Sequence, residues 1–344
     1  MSSSGPMTSQ LATDVLMILW RAGEKGAGAP MQDLLRQTLA PLPHVQETLE
    51  NLAAMGCQIE RTPAEVRLAS VGIRAWRELL VELARRERWR IGRQVHVLPT
   101  ASSTNDRALL AIEAADGDGL VVLADQQTAG RGRLGRQWVA KSGQSVLVSF
   151  LLLDVAADSV DRLTLLAGLA AATALERAAE QAGAGVPRIE IKWPNDLQVN
   201  GKKLGGILVE RRVAGGTGAG GSQGGTVVGI GINIGQGKQD FPPELSGRAT
   251  SLFESCGRMI DRARVIAALL SELNGFCARP LAEEAWLGAW KARCPLLGQT
   301  VKIRSGERTA AGRVLDVSPL QGLVIRDSAG ATHFFSAQTA TLVD

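Results

Sequence analysis

Nine residues, Gly130-Arg131-Gly132-Arg133-Leu134-Gly135-Arg136-Gln137-Trp138, constrain this chain more than any other stretch. The glycines at 130, 132 and 135 permit positive φ and let backbone N–H groups approach a ligand closely. Arg131, Arg133 and Arg136 add cationic forks shaped for phosphate or carboxylate. The segment reads as a loop that asks for an anion. Taken alone, it fits a solvated basic loop or a nucleic-acid contact equally well.

The rest of the chain narrows that choice. At 344 residues, with 45% hydrophobic and 21% charged content, the chain has the material for two or three folded domains and a sizeable core. A net charge of +4 suits anionic ligands but is too small to require nucleic acid. Cys57, Cys256, Cys277 and Cys294 are scattered and form no C-x-x-C pair, which argues against a disulfide framework or a zinc site. His44, His96 and His333 are isolated from one another and from the glycine-rich stretches, so catalysis is expected to rest on Lys, Arg and Asp. A polar N-terminus and the lack of a long uncharged apolar run predict a cytoplasmic protein with no membrane contact.

Residues 1–70 read as a helical unit. Apolar spacing predicts helices over Leu11–Arg21, Met31–Thr38 and from Pro43 to Gly56, followed by two alternating segments, Gln58–Arg61 and Glu65–Leu68. Residues 74–93 read as one connecting helix whose many arginines form a solvated face. Within 1–66, four cations (Arg21, Lys25, Arg36, Arg61) face seven anions (Asp14, Glu24, Asp33, Glu47, Glu50, Glu60, Glu65).

Residues 95–295 alternate strands and helices. Val95–Leu98 runs into Ser102-Ser103-Thr104-Asn105-Asp106, where the hydroxyls and amide fit either a helix cap or a ring around a polar ligand head. Leu120–Ala124 delivers Asp125-Gln126-Gln127-Thr128 into the glycine–arginine loop. Ser145–Leu153 is a strand and Arg162–Ala182 a helix without a breaker. Arg188–Trp193 alternates strictly, Pro194 stops it, and Asn195-Asp196 is expected to turn. Lys202 and Lys203 then enter an apolar strand through Gly205 and Gly206. The seven glycines of Val213–Gly225 predict a flexible hairpin insertion, and helices are expected from Asp261 to Gly275 and over Leu281–Ala292. Short strands over Val301–Arg304, Ala311–Val317, Gly322–Arg326 and Thr332–Phe335 close the chain as a small β domain over 296–344.

Gly130–Trp138, Lys192–Asp196 (KWPND), Lys203–Glu210 (KLGGILVE) and Gly229–Asn233 (GIGIN), with Ser103-Thr104-Asn105, resemble in order and spacing the motifs of biotin protein ligases of the bifunctional type. The resemblance implies an α+β protein: a winged helix-turn-helix domain (1–70), a connecting basic helix (71–94), a mixed-sheet α/β ligase domain related to class II aminoacyl-tRNA synthetases (95–295), and an SH3-like β-barrel (296–344). It implies an ATP-dependent, AMP-forming ligase that makes biotinyl-5′-AMP and passes biotin to a lysine of a biotin carboxyl carrier protein.

The same resemblance assigns roles. Ser103, Thr104, Asn105, Gln127 and Gly132 fall in the biotin set, with Ser103, Thr104 and Gln127 on the ureido ring. Arg131 and Arg133 clamp the acyl-phosphate region, and Lys203, with Lys192 nearby, reaches the carboxylate and α-phosphate. Trp138, Asn233, Arg136, Asn195 and Gly206 serve the adenylate, and Asp196 assists the phosphates and a magnesium ion bound with ATP. A homodimer is compatible with this reading. Two alternatives remain: a lipoate ligase of related fold, and a transcriptional repressor that senses biotinyl-AMP. Operator DNA is poorly matched to the segment from Pro43 to Gly56, which carries Glu47 and Glu50 and no Lys or Arg.

Overall fold

The computed structural model describes residues 10–113, 117–153, 155–156, 159–185, 188–213, 224–278 and 283–343, so most of the expected glycine-rich hairpin lies outside the described residues. The first elements are helices α1 (Gln10–Glu24), α2 (Met31–Thr38) and α3 (Leu42–Ala54), followed by strands β1 (Gln58–Arg61) and β2 (Val66–Ser70). Val15, Leu19, Leu34, Val45, Leu49 and Leu52 recur at helical spacing and are all buried. β1 and β2 pair antiparallel, with Ile59 opposite Leu68.

Helix α4 (Trp76–Arg86) is shorter than the single helix expected over 74–93. Tertiary contacts end it: Trp89 turns inward with its N–H on the Ala84 carbonyl, and the Asn274 side chain accepts from the N–H groups of Arg90 (2.8 Å) and Ile91 (2.9 Å). The arginine-rich face also differs from a simply solvated one. Arg85 and then Arg86 hydrogen-bond the Glu82 carboxylate and hold it down at about 2.

Seven strands form one mixed sheet among the described residues. They are β3 (Val95–Ala101), β4 (Val121–Gln127), β5 (Ser145–Leu153), β6 (Glu190–Lys192), β7 (Asp196–Val199), β8 (Lys202–Val213) and β9 (Gly224–Asn233), in the order β3-β4-β5-β9-β8-β7-β6. Only β3 and β4 run parallel. Every residue of β5 is buried, as expected of a central strand covered on both faces. Val146, Val148 and Phe150 belong to the main core, with α6 (Val160–Gln181) and α8 (Arg262–Ala278); Leu151 and Leu153 join a smaller cluster with Ala108 of α5 (Thr104–Leu109).

Asp196 is not a turn residue. It opens β7 opposite Lys192, which leaves Trp193-Pro194-Asn195 as the hairpin turn, and it pairs on its other side with Gly206 of β8. The expected Asp261 helix runs as α8, and α9 (Glu283–Lys291) stands within the range expected from Leu281, a residue outside those described. A short α7 (Leu252–Cys256), capped by the Ser251 hydroxyl, was not expected.

The last strands, β10 (Thr300–Ser305), β11 (Arg308–Ser318), β12 (Gly322–Arg326), β13 (Thr332–Phe335) and β14 (Ala340–Val343), make an antiparallel sheet in the order β13-β12-β11-β10-β14 around Ile303, Val314, Leu323 and Ile325. β14 had no sequence signal and proves to border the site. At the other end, the first turn of α8 ties the N-terminal unit to the sheet. Asp261 accepts from Val71 N, the Arg264 guanidinium lies 3.6 Å from the Trp20 ring centroid, and Arg262 pairs with Asp125 at 2.8 Å. Among the described residues, no helix is long and apolar enough to cross a membrane.

Candidate active site

All fifteen residues singled out from the sequence line one cavity of about 600 Å³. Ser103, Thr104, Asn105, Gln127, Arg131, Gly132, Arg133, Arg136, Trp138, Lys192, Asn195, Asp196, Lys203, Gly206 and Asn233 reach it from both edges and the middle of the seven-stranded sheet. Six cationic side chains line it (Arg248 joins the five already named) against one carboxylate, Asp196. Low-dielectric walls focus such a field on an anion.

One end is polar and neutral. Ser103 occupies the N-cap of α5 but makes no side-chain capping bond, and it is only 3% exposed, so capping does not explain its hydroxyl. Thr104 sends its N–H to Gln127 Oε1 at 2.7 Å, with its hydroxyl 3.1 Å from the same oxygen. Asn105 Nδ2 donates to Glu210 Oε2 (2.7 Å) and to the Leu208 carbonyl (3.3 Å). Gly229 makes room for that amide: a Cβ there would fall 2.1 Å from Asn105 Oδ1.

The glycine–arginine loop folds over this end. Gly132 N–H donates to the Arg136 carbonyl at 2.7 Å, and Leu134 and Gly135 turn the chain through the left-handed region with φ of 55° and 75°. Arg131 is braced between Asp106 (2.6 Å) and Glu210 (2.8 Å), which fixes its fork beside the polar head. Arg133 points the other way. Its guanidinium donates to Asn195 Oδ1 and to the carbonyls of Ala337 and Ala340, so Arg133 is held by the C-terminal β unit. Burial, followed by the neighbouring Arg136, pushes its pKa below the usual arginine value, against the opposing pull of Asp196 and Asp161. Arg136 extends to Thr341 of β14.

The cationic end is built on the β6–β7–β8 edge. Lys203 Nζ lies 2.6 Å from Asp196 Oδ1, and its backbone is pinned by the Arg248 carbonyl and the Thr250 N–H. Lys192 stands across the hairpin from Asp196. A Cβ on Gly206 would meet Lys203 Nζ at 3.5 Å, an ordinary contact, so sterics do not demand glycine there. They do at Gly231, where a Cβ would approach the Trp138 ring to 2.7 Å. Trp138 thus lies against the bare backbone of β9, with Lys203 Nζ 5.9 Å from its ring centroid. Its indole Nε1 is buried with no partner among the described residues, a donor without an acceptor. Asn233 is already engaged: Nδ2 donates to the Thr250 carbonyl and Oδ1 accepts from Gln236, which leaves one amide proton and one oxygen lone pair.

Sequence reasoning missed several contributors. Glu210 ends the KLGGILVE motif with no role implied by the sequence, and Asp106 carries no signal of its own beside Asn105. Arg248 and Thr341 sit in segments with no motif, and Ser149 lies in a strand whose apolar neighbours conceal it.

Residues 97–233 match the model of the Biotin/lipoate A/B protein ligase family. The chain is 34% identical over 230 residues to the bifunctional ligase/repressor BirA of Bacillus subtilis; the match takes in 64% of this chain and 65% of that protein, a little under two thirds of its length. It is 33% identical over 250 residues to the biotin–acetyl-CoA-carboxylase ligase of Mycobacterium tuberculosis, covering 71% of this chain and 87% of the relative. Among solved structures, the biotin protein ligase from Aquifex aeolicus in complex with biotin and ATP matches with a TM-score of 0.58 at 29% identity, covering 73% of this chain and 98% of that one.

Proposed function

The chain belongs to the biotin/lipoate A/B protein ligase family, and from that premise we propose that it is a biotin protein ligase. The observation that carries the reading is the polarity of the cavity. A neutral hydrogen-bonding head at Ser103, Thr104 and Gln127 is separated from a cationic end at Lys192, Lys203 and Arg133. Biotin has the matching order, a ureido ring at one end and a carboxylate at the other.

In the first step the biotin carboxylate attacks the α-phosphorus of ATP, the bond to pyrophosphate breaks, and biotinyl-5′-AMP forms. Two anions must meet, so the site's work is neutralisation and in-line placement, with no protein nucleophile. Lys203 sits where it can touch both groups, Arg131 and Arg133 close the loop side, and Trp138 offers its ring beside the adenylate. In the second step the ε-amine of a lysine on a biotin carboxyl carrier protein attacks the acyl carbon; an amide forms, AMP leaves, and the ammonium proton goes to solvent.

Asp196, the one carboxylate lining the cavity among the described residues, and the adjacent Asn195 would hold a magnesium ion brought in with ATP. Such an ion neutralises phosphate charge. Among the described residues, no group of three or more His, Cys, Asp or Glu is arranged to hold a metal without substrate.

We read 1–70 as a winged helix-turn-helix domain, 71–94 as a connector, 95–295 as the ligase domain and 296–344 as an SH3-like barrel. Three helices followed by an antiparallel pair support the first assignment, and the five-stranded antiparallel sheet supports the last. The exposed face of α3 carries Glu47 and Glu50 with no cation, the wrong sign for gripping phosphates. Operator binding is therefore not assigned to it. A gel shift on DNA upstream of the host's biotin genes checks this: salt-sensitive, sequence-selective retardation would restore the repressor role.

Isothermal titration with biotin and with lipoate tests the ligand. Biotin binding that lipoate does not match supports the reading, and tight lipoate binding with no biotin binding overturns it.

A further inference from the structure

Ser149 Oγ, fully buried on β5, stands 2.6 Å from Asn105 Oδ1 and 2.7 Å from Thr104 Oγ1. The proton count decides what this means. Glu210 Oε2 and the Leu208 carbonyl can only accept, so the nitrogen of the Asn105 amide must face them and its oxygen must face Ser149. That oxygen also only accepts. The single Ser149 proton is therefore spent on Asn105, and the short contact with Thr104 can be a hydrogen bond only if Thr104 supplies the proton.

We propose that Glu210, Asn105 and Ser149 form a directed hydrogen-bond chain that orients the Thr104 hydroxyl, so that Thr104 Oγ1 meets a ligand as an acceptor. Gln127 completes the pattern. Its Oε1 is taken by Thr104 N–H, so its Nε2 is the donor. The head of the cavity thus offers an acceptor beside a donor and selects a ring that carries an N–H next to a carbonyl. A dithiolane ring has neither. Ser149, Asn105 and Glu210 act through Thr104 and are positioning residues; Glu210 also braces Arg131, which joins the chain to the loop. The inference rests on the biotin reading above and specifies how that reading discriminates.

The test compares the wild-type chain with Ser149→Ala and Ser149→Cys, using titration of biotin and of lipoate together with biotin-dependent pyrophosphate release. In Ser149→Ala the Thr104 proton turns toward Gln127, biotin affinity falls on the order of tenfold to a hundredfold, lipoate affinity is unmoved, and KM for ATP and kcat at saturating biotin stay within about threefold. Ser149→Cys, which keeps a weak donor, recovers part of the loss. Equal losses for both ligands, a fall in kcat with KM for biotin unchanged, or no recovery in Ser149→Cys would reduce Ser149 to packing and overturn the proposal. Wild-type chain that binds no biotin would sink the functional reading itself, an outcome distinct from unchanged biotin binding in Ser149→Ala. If Ser149→Ala does not fold, Ser149→Cys against wild type carries the same comparison, with a selective drop in biotin affinity expected.

Discussion

Lys203 Nζ sits 2.6 Å from Asp196 Oδ1, on adjacent antiparallel strands whose register is set by Asp196 opposite Gly206. The pair is half-exposed, so its contribution to stability is below about 1 kcal/mol. Its importance is positional. Asp196 holds the ammonium at the cationic end of the cavity, where the proposed reaction needs it. Lys203→Ala is expected to cut biotin-dependent pyrophosphate release by about 1000-fold while shifting the melting temperature little. Unchanged release would remove Lys203 from the chemistry.

Two glycines on β9 distinguish the two halves of the proposed ligand site. Gly231→Ala drives a methyl into the Trp138 ring, and Gly229→Ala drives one into the Asn105 amide. With an overpacking cost of about 1–3 kcal/mol at each, KM for ATP should rise about tenfold in the first and KM for biotin about tenfold in the second. Steady-state kinetics with each substrate varied in turn reads this. The same KM rising in both variants would contradict the placement of adenylate on Trp138 and of the biotin ring beside Thr104, which Asn105 helps to orient.

Arg133 binds the carbonyls of Ala337 and Ala340, so the loop and the C-terminal unit are one assembly at the site. Arg133→Gly removes that tie together with a cation. The adenylate should escape, detected as labelling of nearby lysines that do not belong to the carrier. Full retention of the intermediate in a rapid-filtration assay would show that Arg133 does not clamp it.

The site was legible in the sequence chiefly through the ordered motifs that resemble those of biotin protein ligases. Patterning alone leaves Thr104 as readily a helix-capping residue as a ligand contact, and Lys203 and Asp196 as an ordinary charged pair beside a turn. Ser149 and β14 lie outside those motifs. A single serine among Val146, Leu147, Val148 and Phe150 looks like strand filler until the fold brings it beside Asn105, and β14 reaches the cavity only through a sheet formed by distant strands. The end of α4 at Arg86 was equally hidden, because Asn274, far along the chain, supplies the acceptor that lets the backbone leave the helix. Reading Asn195-Asp196 as a turn failed by one residue, since Pro194 marks the hairpin but not where pairing resumes.

Burial lifts the Asp261 carboxyl from its ordinary 3.8 to about 6, against the opposing pull of Ala263 N–H, Val71 N–H, Arg264 and Arg262. The native chain therefore holds this proton more tightly than the unfolded chain does. The associated stability is fully present below pH 3.8 and is lost as pH rises through about 6, with a ceiling of about 3 kcal/mol. Asp261→Asn cannot ionise, so its melting temperature relative to wild type should climb between pH 4 and pH 7, on the order of several degrees. A difference independent of pH would mean that Asp261 stays charged between the N-terminal unit and α8.

The most direct measurement of the central claim is transfer of labelled biotin to a biotin carboxyl carrier domain in the presence of ATP and magnesium. The account predicts one label per carrier, on a single lysine, with AMP and pyrophosphate released in equal amounts and no transfer when ATP is left out. Adenylation of lipoate in place of biotin, or a carrier that stays unlabelled while the folded chain binds both substrates, would contradict it.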